Sequence, residues 1–253
     1  MSLDGKRILI TGSSRGIGQA AALVFLGLGA NVAINGRTAT SIARGIAELG
    51  GGKRLIPALG DIATVNGCKE AVRSAVEGLG GLDVLVNSAG VADARPLSDC
   101  DEEMWDRILN VNLKGTFFCI RAAYPHLKAS RGNVVNVASD AGLIGEKKLS
   151  VYCASKGGVV NVTRALALEL APDVRVNCVC PGYVDTDMVR RDMIEKATDP
   201  AVAEADVMSY APLKRMARPE EVGKAIAYLA SDDAGFITGA ALAMDGGSTA
   251  GHT

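Results

Sequence analysis

A tyrosine and a lysine four positions apart are well suited to acid–base chemistry. Tyr152 and Lys156 lie in a stretch predicted to be helical, where this spacing places both side chains on one face. A phenol, with an ordinary pKa of about 10, carries protons poorly at neutral pH, but a nearby ammonium group stabilises the phenolate. Ser139 ends a predicted strand just upstream, so its hydroxyl is expected at the same crevice. There it can hydrogen-bond a carbonyl or hydroxyl oxygen.

A glycine-rich turn joins the first predicted strand to the first helix, with the sequence Thr11-Gly12-Ser13-Ser14-Arg15-Gly16-Ile17-Gly18. Glycines permit a tight turn and a close approach of the backbone to a pyrophosphate, and the helix N-terminus offers free N–H groups. The spacing G-x-x-x-G-x-G differs from the standard G-x-G-x-x-G. Because the turn heads a long α/β pattern, it predicts a dinucleotide-binding turn.

The end of the second strand bears on which dinucleotide binds. An acidic residue there would hold a ribose 2′-hydroxyl and repel a 2′-phosphate, but this sequence reads Asn35-Gly36-Arg37-Thr38. Arg15, Arg37 and the Thr38 hydroxyl suit a dianionic phosphate. The sequence therefore favours NADP(H) over NAD(H). The alternative is that both arginines are merely solvated.

Two further strand ends carry residues that a cofactor can contact. Asp61 follows the third strand, where its carboxylate could accept a bond from an adenine amino group or cap the next turn. Asn87-Ser88-Ala89-Gly90 follows the fourth strand. Its small residues let a cofactor lie against the strand end, although an ordinary turn without a ligand could have the same sequence.

Strand and helix patterns alternate along the whole chain. Predicted strands cover Lys6–Thr11, Asn31–Asn35, Arg54–Leu59, Asp83–Val86, Asn133–Val137, Val174–Val179 and Ala241–Met244. Predicted helices cover Gly16–Leu28, Ala39–Leu49, Thr64–Leu79, Glu102–Lys128, Val151–Leu170 and Glu220–Ala230. Such a pattern predicts a Rossmann-type, doubly wound parallel sheet with helices on both faces, in one domain over residues 1–253. The charged segment Asp185–Ala217 carries no strand and is predicted to be an insertion over the ligand crevice.

Composition excludes several classes of protein. The 253 residues are 48% hydrophobic with a formal charge of −1, so no basic excess exists to bind nucleic acid. The apolar run Ala20–Ala30 is too short for a bilayer, which needs about 20 residues, and the N-terminus does not read as a signal peptide. No C-x-x-C occurs among the six cysteines. We expect a cytoplasmic protein with reduced thiols and no membrane partner. The only histidines, His126 and His252, are too few for a multi-histidine zinc site, and no metal is expected.

The chain resembles the classical short-chain dehydrogenase/reductase family over essentially its whole length. The matching residues are Thr11-Gly12-x-x-x-Gly16-Ile17-Gly18, Asp61, Asn87-x-Ala89-Gly90, Asn112, Ser139, Tyr152-x-x-x-Lys156, Pro181-Gly182 with Thr186, and Asp245-Gly246-Gly247. The resemblance implies a nicotinamide-dependent oxidoreductase that interconverts a small-molecule carbonyl and a secondary alcohol. It also implies a homotetramer.

The resemblance assigns a role to each catalytic residue. It makes Tyr152 the general acid–base, with Lys156 lowering its pKa and holding the nicotinamide ribose. Ser139 would orient the substrate oxygen, and Asn112 would hold a water that links Lys156 to solvent. With the residues already discussed, the expected cofactor-binding set is Gly12, Ser14, Arg15, Gly16, Ile17, Gly18, Arg37, Thr38, Asp61, Ile62, Asn87, Ala89, Gly90, Tyr152, Lys156, Pro181, Gly182, Val184 and Thr186.

The sequence departs from the family pattern in two places. Ser88 replaces the usual second asparagine of Asn-Asn-Ala-Gly, which retains a hydrogen-bonding group. The loop before the tyrosine, commonly apolar or glycine-rich, reads Gly145-Glu146-Lys147-Lys148-Leu149. Lys147, Lys148 or Arg95 could meet an anionic or polyhydroxy substrate, but solvated loops are the simpler interpretation.

Three alternative functions stay open at this point. A 3-oxoacyl-(acyl carrier protein) reductase would need a positively charged surface patch to bind its acidic carrier protein. Lys128 and Arg131 provide positive charge, whereas Glu169 and Asp173 add negative charge. If Arg15 and Arg37 do not bind a 2′-phosphate, an NAD-dependent sugar or polyol dehydrogenase is the expected function. A non-catalytic nucleotide sensor is disfavoured, because the Asn, Ser, Tyr and Lys set is complete.

Overall fold

The computed structural model of the chain describes residues 2–251 and contains a seven-stranded sheet. The strands are β1 (Arg7–Thr11), β2 (Asn31–Gly36), β3 (Leu55–Leu59), β4 (Val84–Asn87), β5 (Asn133–Val137), β6 (Arg175–Pro181) and β7 (Ala241–Met244). Their order is β3-β2-β1-β4-β5-β6-β7, and all neighbours run parallel. This confirms the predicted doubly wound, Rossmann-type sheet.

Helices cover both faces of the sheet, because its central strands are apolar on both sides. One face packs against α1 (Gly16–Gly27), α2 (Ala39–Glu48) and α9 (Pro219–Ala230). The other packs against α3 (Val65–Leu79), α5 (Gly115–Ser130) and α6 (Ser150–Leu170). No helix within residues 2–251 has the length and apolar character needed to cross a membrane.

The topological switch of the sheet lies between β1 and β4. The chain runs outward from β1 to the β3 edge and then returns to place β4 on the other side of β1. At the carboxyl ends of these strands Thr11 pairs with Asn87. The Thr11 hydroxyl oxygen accepts bonds of 3.1 Å from the backbone N–H groups of Ser88 and Ala89. Ligands of such sheets bind at this crevice.

The predicted single helix over Glu102–Lys128 is wrong in its interior. A π-helical turn, Asn110–Lys114, separates α4 (Glu102–Leu109) from α5. The buried residue of the turn is the polar Asn112, and the next buried positions are Gly115 and Thr116, so the apolar spacing weakens here without marking an extra residue. At the start of α5 an added Cβ on Gly115 would lie 2.5 Å from the backbone oxygen of Ile62. The chain therefore approaches its neighbour more closely here than a larger residue permits.

The segment between β6 and α9 forms a small helical layer. It contains α7 (Asp187–Val189), a π-helical turn (Arg190–Ile194) and α8 (Pro200–Tyr210). A single parallel bridge pairs Val184 with Ala217 at its two ends. The layer has its own buried cluster, formed by Val189, Ile194, Val207 and Met216.

Candidate active site

The glycine-rich turn is built by close backbone packing. Gly12 and Gly16 adopt φ of +64° and +59°, in the left-handed region that favours glycine. An added Cβ on Gly12 would lie 2.7 Å from the Ala89 Cα, so a side chain there would collide with the start of the loop after β4. The Gly12 N–H donates to the Asn35 side-chain oxygen at 3.1 Å. The turn is thus fixed against both neighbouring strand ends.

The N-terminus of α1, like those of α5, α6 and α9, lacks the side-chain cap bond that α2, α3 and α4 have. Thr38, Thr64 and Asp101 each accept a bond from a first-turn N–H of α2, α3 or α4. Arg15 occupies the equivalent position of α1 and makes no such bond. The first N–H groups of a helix need an external acceptor, and the helix dipole favours an anion. This turn therefore fits a dinucleotide pyrophosphate.

The end of β2 carries positive charge and no carboxylate. Arg15 and Arg37 are exposed and form no ion pair within residues 2–251. Asn35 is buried, and its amide donates to the backbone oxygens of residues 58 and 60. The Thr38 hydroxyl oxygen, expected at a phosphate, accepts from the Ser41 N–H at 3.2 Å as the cap of α2.

The strand ends next to the switch hold the other expected cofactor contacts. Asp61 is exposed and accepts a bond from the Ala63 N–H at 3.1 Å, the capping role weighed from the sequence, while Ile62 is buried. Asn87 donates to Asn136 at 2.9 Å, and its own buried side-chain oxygen has no partner among the described residues.

Tyr152, Lys156 and Asn112 converge beside this crevice. The Lys156 side chain is buried, and its Nζ donates to the Val137 backbone oxygen at 2.8 Å and lies 5.7 Å from the centre of the Tyr152 ring. An added Cβ on Gly90 would lie 3.5 Å from this Nζ and 3.6 Å from the Asn112 Oδ1. The spacing of Tyr152 and Lys156 therefore places both side chains in one site, as expected.

Asn112 is a structural bridge through its side chain. Its Oδ1 accepts from the Val91 N–H at 2.9 Å, and its Nδ2 donates to the Val91 oxygen at 2.9 Å and to the Ser155 hydroxyl at 3.0 Å. Its backbone oxygen accepts from the Thr116 hydroxyl at 2.7 Å. The π-helical turn thereby joins the loop after β4 to α6, and the water-holding role of Asn112 stays a prediction.

The expected lowering of the Tyr152 pKa by Lys156 is wrong for the geometry of these side chains. Burial raises the pKa of Tyr152 to about 12, with a hydrogen bond to Ser139 acting against the rise and the Asp140 charge adding to it. Burial also lowers the pKa of Lys156 to about 8. The Lys156 ammonium donates to the Val137 oxygen, and it is not among the groups that shift the Tyr152 pKa.

Ser139 lies with Asp140, a residue that the sequence analysis did not single out. Both are buried, and the Ser139 hydroxyl donates to the Asp140 Oδ1 at 2.9 Å. Burial raises the pKa of Asp140 to about 6; Ser139 and the Ala141 N–H oppose this, and the charges of Glu146 and Asp245 add to it. Asp140 follows Ser139 in the chain and begins the segment Asp140–Val151 expected to line the substrate pocket, so its proximity to the site is expected, whereas its burial is not marked by the sequence.

The end of β6 closes the crevice from the other side. The Gly182 N–H donates to Met244 at 3.3 Å, and Thr186 donates to the Val184 oxygen at 3.3 Å. An added Cβ on Gly16 would lie 3.8 Å from the Thr186 Cγ2. The segment after β6 thus reaches the glycine-rich turn, as expected for residues that hold one cofactor.

The loop before α6 turns its acidic residue inward and its basic residues outward. Glu146 accepts a hydrogen bond from the Tyr210 hydroxyl, and the Tyr210 ring lies 5.0 Å from the Tyr183 ring. Lys147 and Lys148 are exposed. A cavity of about 180 Å³ lies behind this contact, lined in part by Tyr183, Tyr210, Leu213, Met244 and Asp245. Arg95, another candidate substrate contact, pairs instead with Asp93 at 2.9 Å.

Comparisons with known proteins agree with this architecture. A family described as Enoyl-(Acyl carrier protein) reductase matches residues 12–249. The chain is 39% identical over 251 residues to 2-(S)-hydroxypropyl-CoM dehydrogenase 3 of Xanthobacter autotrophicus, covering 98% of each. It is 38% identical over 252 residues to the 3-oxoacyl-[acyl-carrier-protein] reductase FabG of Thermotoga maritima, covering 98% of this chain and 99% of the relative. The crystal structure of a short-chain dehydrogenase/reductase, SDR:Glucose/ribitol dehydrogenase, from Brucella melitensis matches with a TM-score of 0.89 at 33% identity, over 97% of both chains.

Proposed function

We propose that the chain, which belongs to the classical short-chain dehydrogenase/reductase family and is an oxidoreductase of CH–OH groups, interconverts a carbonyl compound and a secondary alcohol with NADP(H). The observation that carries this proposal is the convergence of Tyr152, Lys156 and Ser139 beside an uncapped, glycine-rich helix N-terminus.

The residues proposed to hold the cofactor are those that the family resemblance assigns, and they lie around the crevice. The backbone of the Gly12–Gly18 turn would bind the pyrophosphate, Asp61 and Ile62 would lie at the adenine, and Ala89 and Gly90 would line the strand end. Lys156 would hold the nicotinamide ribose, with Pro181, Gly182, Val184 and Thr186 at the nicotinamide. When bound, the nicotinamide supplies the hydride for reduction and accepts it in oxidation.

Tyr152 is the proposed general acid–base. A pKa of about 12 keeps its phenol protonated at neutral pH, so it can donate a proton to a substrate carbonyl oxygen during reduction. In the reverse direction a deprotonated Tyr152 would take the proton of the alcohol, which requires a lower Tyr152 pKa when cofactor and substrate are bound. Ser139 orients the substrate oxygen, and Asn112 fixes α6 and the loop after β4 around the site.

The preference for NADP(H) is supported by the charges around the end of β2. Arg15 and Arg37 are exposed and neither forms an ion pair within residues 2–251, although the charge of Arg15 helps to lower the pKa of Asp192. Gly36 stands where an acidic side chain would repel a 2′-phosphate. If neither arginine contacts the cofactor, the better proposal is an NAD-dependent sugar or polyol dehydrogenase.

The test combines binding and turnover. Titrations with NADPH and NADH, followed by calorimetry, should show tighter binding of NADPH. A panel of carbonyl compounds that includes ethyl acetoacetate, cyclohexanone and 2,3-butanedione should then contain compounds reduced with NADPH. Tight cofactor binding without turnover of any panel member, or of the corresponding alcohols, would instead support a non-catalytic nucleotide sensor.

A second candidate is a 3-oxoacyl-(acyl carrier protein) reductase, which the similarity to the Thermotoga enzyme favours. The basic surface that an acidic carrier needs is weakened here, because Lys128 pairs with Asp173 at 3.0 Å. Comparing acetoacetyl-carrier protein with the acetoacetyl thioester of N-acetylcysteamine separates the two. A much larger kcat/KM for the carrier-bound substrate would favour this second function.

We also propose a cytoplasmic homotetramer. Large apolar side chains are exposed on α4 and α5, where Trp105 is 49% and Phe117 39% exposed, and near the β7 edge, where Phe236 and Leu242 are exposed. Two separate apolar surfaces suit an assembly with two kinds of contact. Light scattering coupled to gel filtration should give four times the chain mass. The six free cysteines fit a reducing compartment.

A further inference from the structure

Ser139 has a single hydroxyl proton, and that proton is already used within the protein. Its acceptor is the Asp140 Oδ1 at 2.9 Å, with the Pro181 backbone oxygen at 3.4 Å as a second, longer contact. A hydroxyl donates once and accepts through two lone pairs. In this arrangement Ser139 therefore presents an acceptor, and no donor, to the substrate oxygen.

The geometry of Asp140 is tightly fixed. The Ala141 N–H donates to the Asp140 Oδ1 at 2.8 Å and to the Ser139 Oγ at 3.2 Å, which holds the two oxygens together. On the other side, an added Cβ on Gly182 would lie 3.1 Å from the Asp140 Oδ2. The carboxyl group thus fills the space between Ser139 and the end of β6.

No cation neutralises this carboxyl group. Asp140 forms no ion pair within residues 2–251, and the charged groups that add to its pKa are the carboxylates Glu146 and Asp245. The negative charge of Asp140 also raises the pKa values of four nearby groups, Tyr152, Cys180, Tyr183 and Tyr210. A buried carboxylate without a cation is costly, and such groups cluster at functional sites.

We propose that Asp140 is a positioning residue that sets the direction of the Ser139 hydrogen bond, and thereby selects which form of the substrate Ser139 can bind. Ionised Asp140 holds the Ser139 proton, so Ser139 accepts a bond from the hydroxyl group of an alcohol substrate. Neutral Asp140 competes less well for that proton, so Ser139 is free to donate it to a carbonyl substrate. This inference rests on the proposed carbonyl–alcohol function.

The consequence for pH follows from the sign of the ionisation. Asp140, with a pKa of about 6, is neutral below pH 6 and ionised above it. Tyr152 stays protonated through this range, and the Lys156 pKa lies near 8, so neither group accounts for a transition near pH 6. The kcat/KM for carbonyl reduction should fall about tenfold from pH 5 to 7.5, since a bond to a charged acceptor is stronger than one to a neutral acceptor by roughly that factor. Alcohol oxidation should lack this fall.

The first measurement needs no substrate. Infrared titration of the carboxyl stretch, as a difference between the wild type and Asp140→Asn, should give a midpoint near pH 6. In Ser139→Ala the ionised form loses its hydrogen bond, so the acid dissociation constant of Asp140 should fall about tenfold and the midpoint should rise. An unchanged midpoint in Ser139→Ala would overturn the coupling.

The second measurement uses reduction of ethyl acetoacetate with NADPH and oxidation of ethyl 3-hydroxybutanoate with NADP⁺. The fall near pH 6 should disappear in Asp140→Asn. Glu146→Gln is the matched control: it removes a repelling carboxylate but keeps Asp140, so the fall should persist at lower pH. A fall of wild-type size and midpoint in Asp140→Asn would refute the proposal. If no carbonyl or alcohol is turned over while the infrared coupling holds, the proposed function fails and the Ser139–Asp140 coupling stands.

Discussion

Replacing Arg37 by alanine tests how the end of β2 recognises the cofactor. The guanidinium is exposed and pairs with no carboxylate in residues 2–251, so its removal breaks no internal ion pair. A charge-assisted bond to a phosphate contributes about 1.5–3 kcal/mol when sheltered. Discounted for exposure to roughly 1.4 kcal/mol, one such bond corresponds to a tenfold change in affinity.

We therefore expect Arg37→Ala to weaken NADPH binding about tenfold and to leave NADH binding nearly unchanged. Calorimetric titration of each variant with both cofactors gives the four dissociation constants needed. Arg44→Ala is the matched control, because Arg44 is an exposed arginine on α2 that pairs with Glu48. Equal losses for NADPH and NADH would show that Arg37 does not read the 2′-phosphate.

Three further substitutions test the framework of the site. Gly36→Asp should favour NADH over NADPH, measured by the same titrations; its added Cβ would lie 2.7 Å from a serine hydroxyl, a flexible group that can move. Gly12→Ala should destabilise the fold by about 1–2 kcal/mol or more in chemical denaturation, because of its positive φ and the 2.7 Å approach to Ala89. Asp83→Asn should cost about 1–2 kcal/mol, since Asp83 binds Arg7 at 2.8 and 2.9 Å. Hydrogen bonds from Arg7 outweigh burial and lower the pKa of Asp83, so wild-type stability from this pair should be lost as pH falls below about 4, whereas Asp83→Asn should lack that loss.

The sheet and the proximity of Tyr152 to Lys156 were predictable because each rests on a local pattern. Apolar runs with turn residues between them gave the strands, and helical spacing placed Tyr152 and Lys156 together. The turn over Gly12–Gly18 was predictable because only glycine suits both positive φ and close backbone packing.

Other features depend on contacts between distant segments and left no signal in the sequence. The π-helical turn at Asn112 adds one residue inside a continuous helical stretch, and the residue pattern does not mark that addition. Thr38 reads equally well as a phosphate ligand or a helix cap, and the structure uses it as a cap. The position of Asp140 depends on the approach of β6 to Ser139, and the inward turn of Glu146 depends on Tyr210.

Turnover and cofactor binding measured together in Tyr152→Phe test the central claim most directly. This substitution removes one hydroxyl group and leaves the ring in place. With ethyl acetoacetate and NADPH, kcat should fall by at least about 100-fold, the contribution of a general acid, while the dissociation constant for NADPH stays within a few-fold of wild type. Activity close to that of the wild type would contradict the assignment of Tyr152 as the acid–base residue.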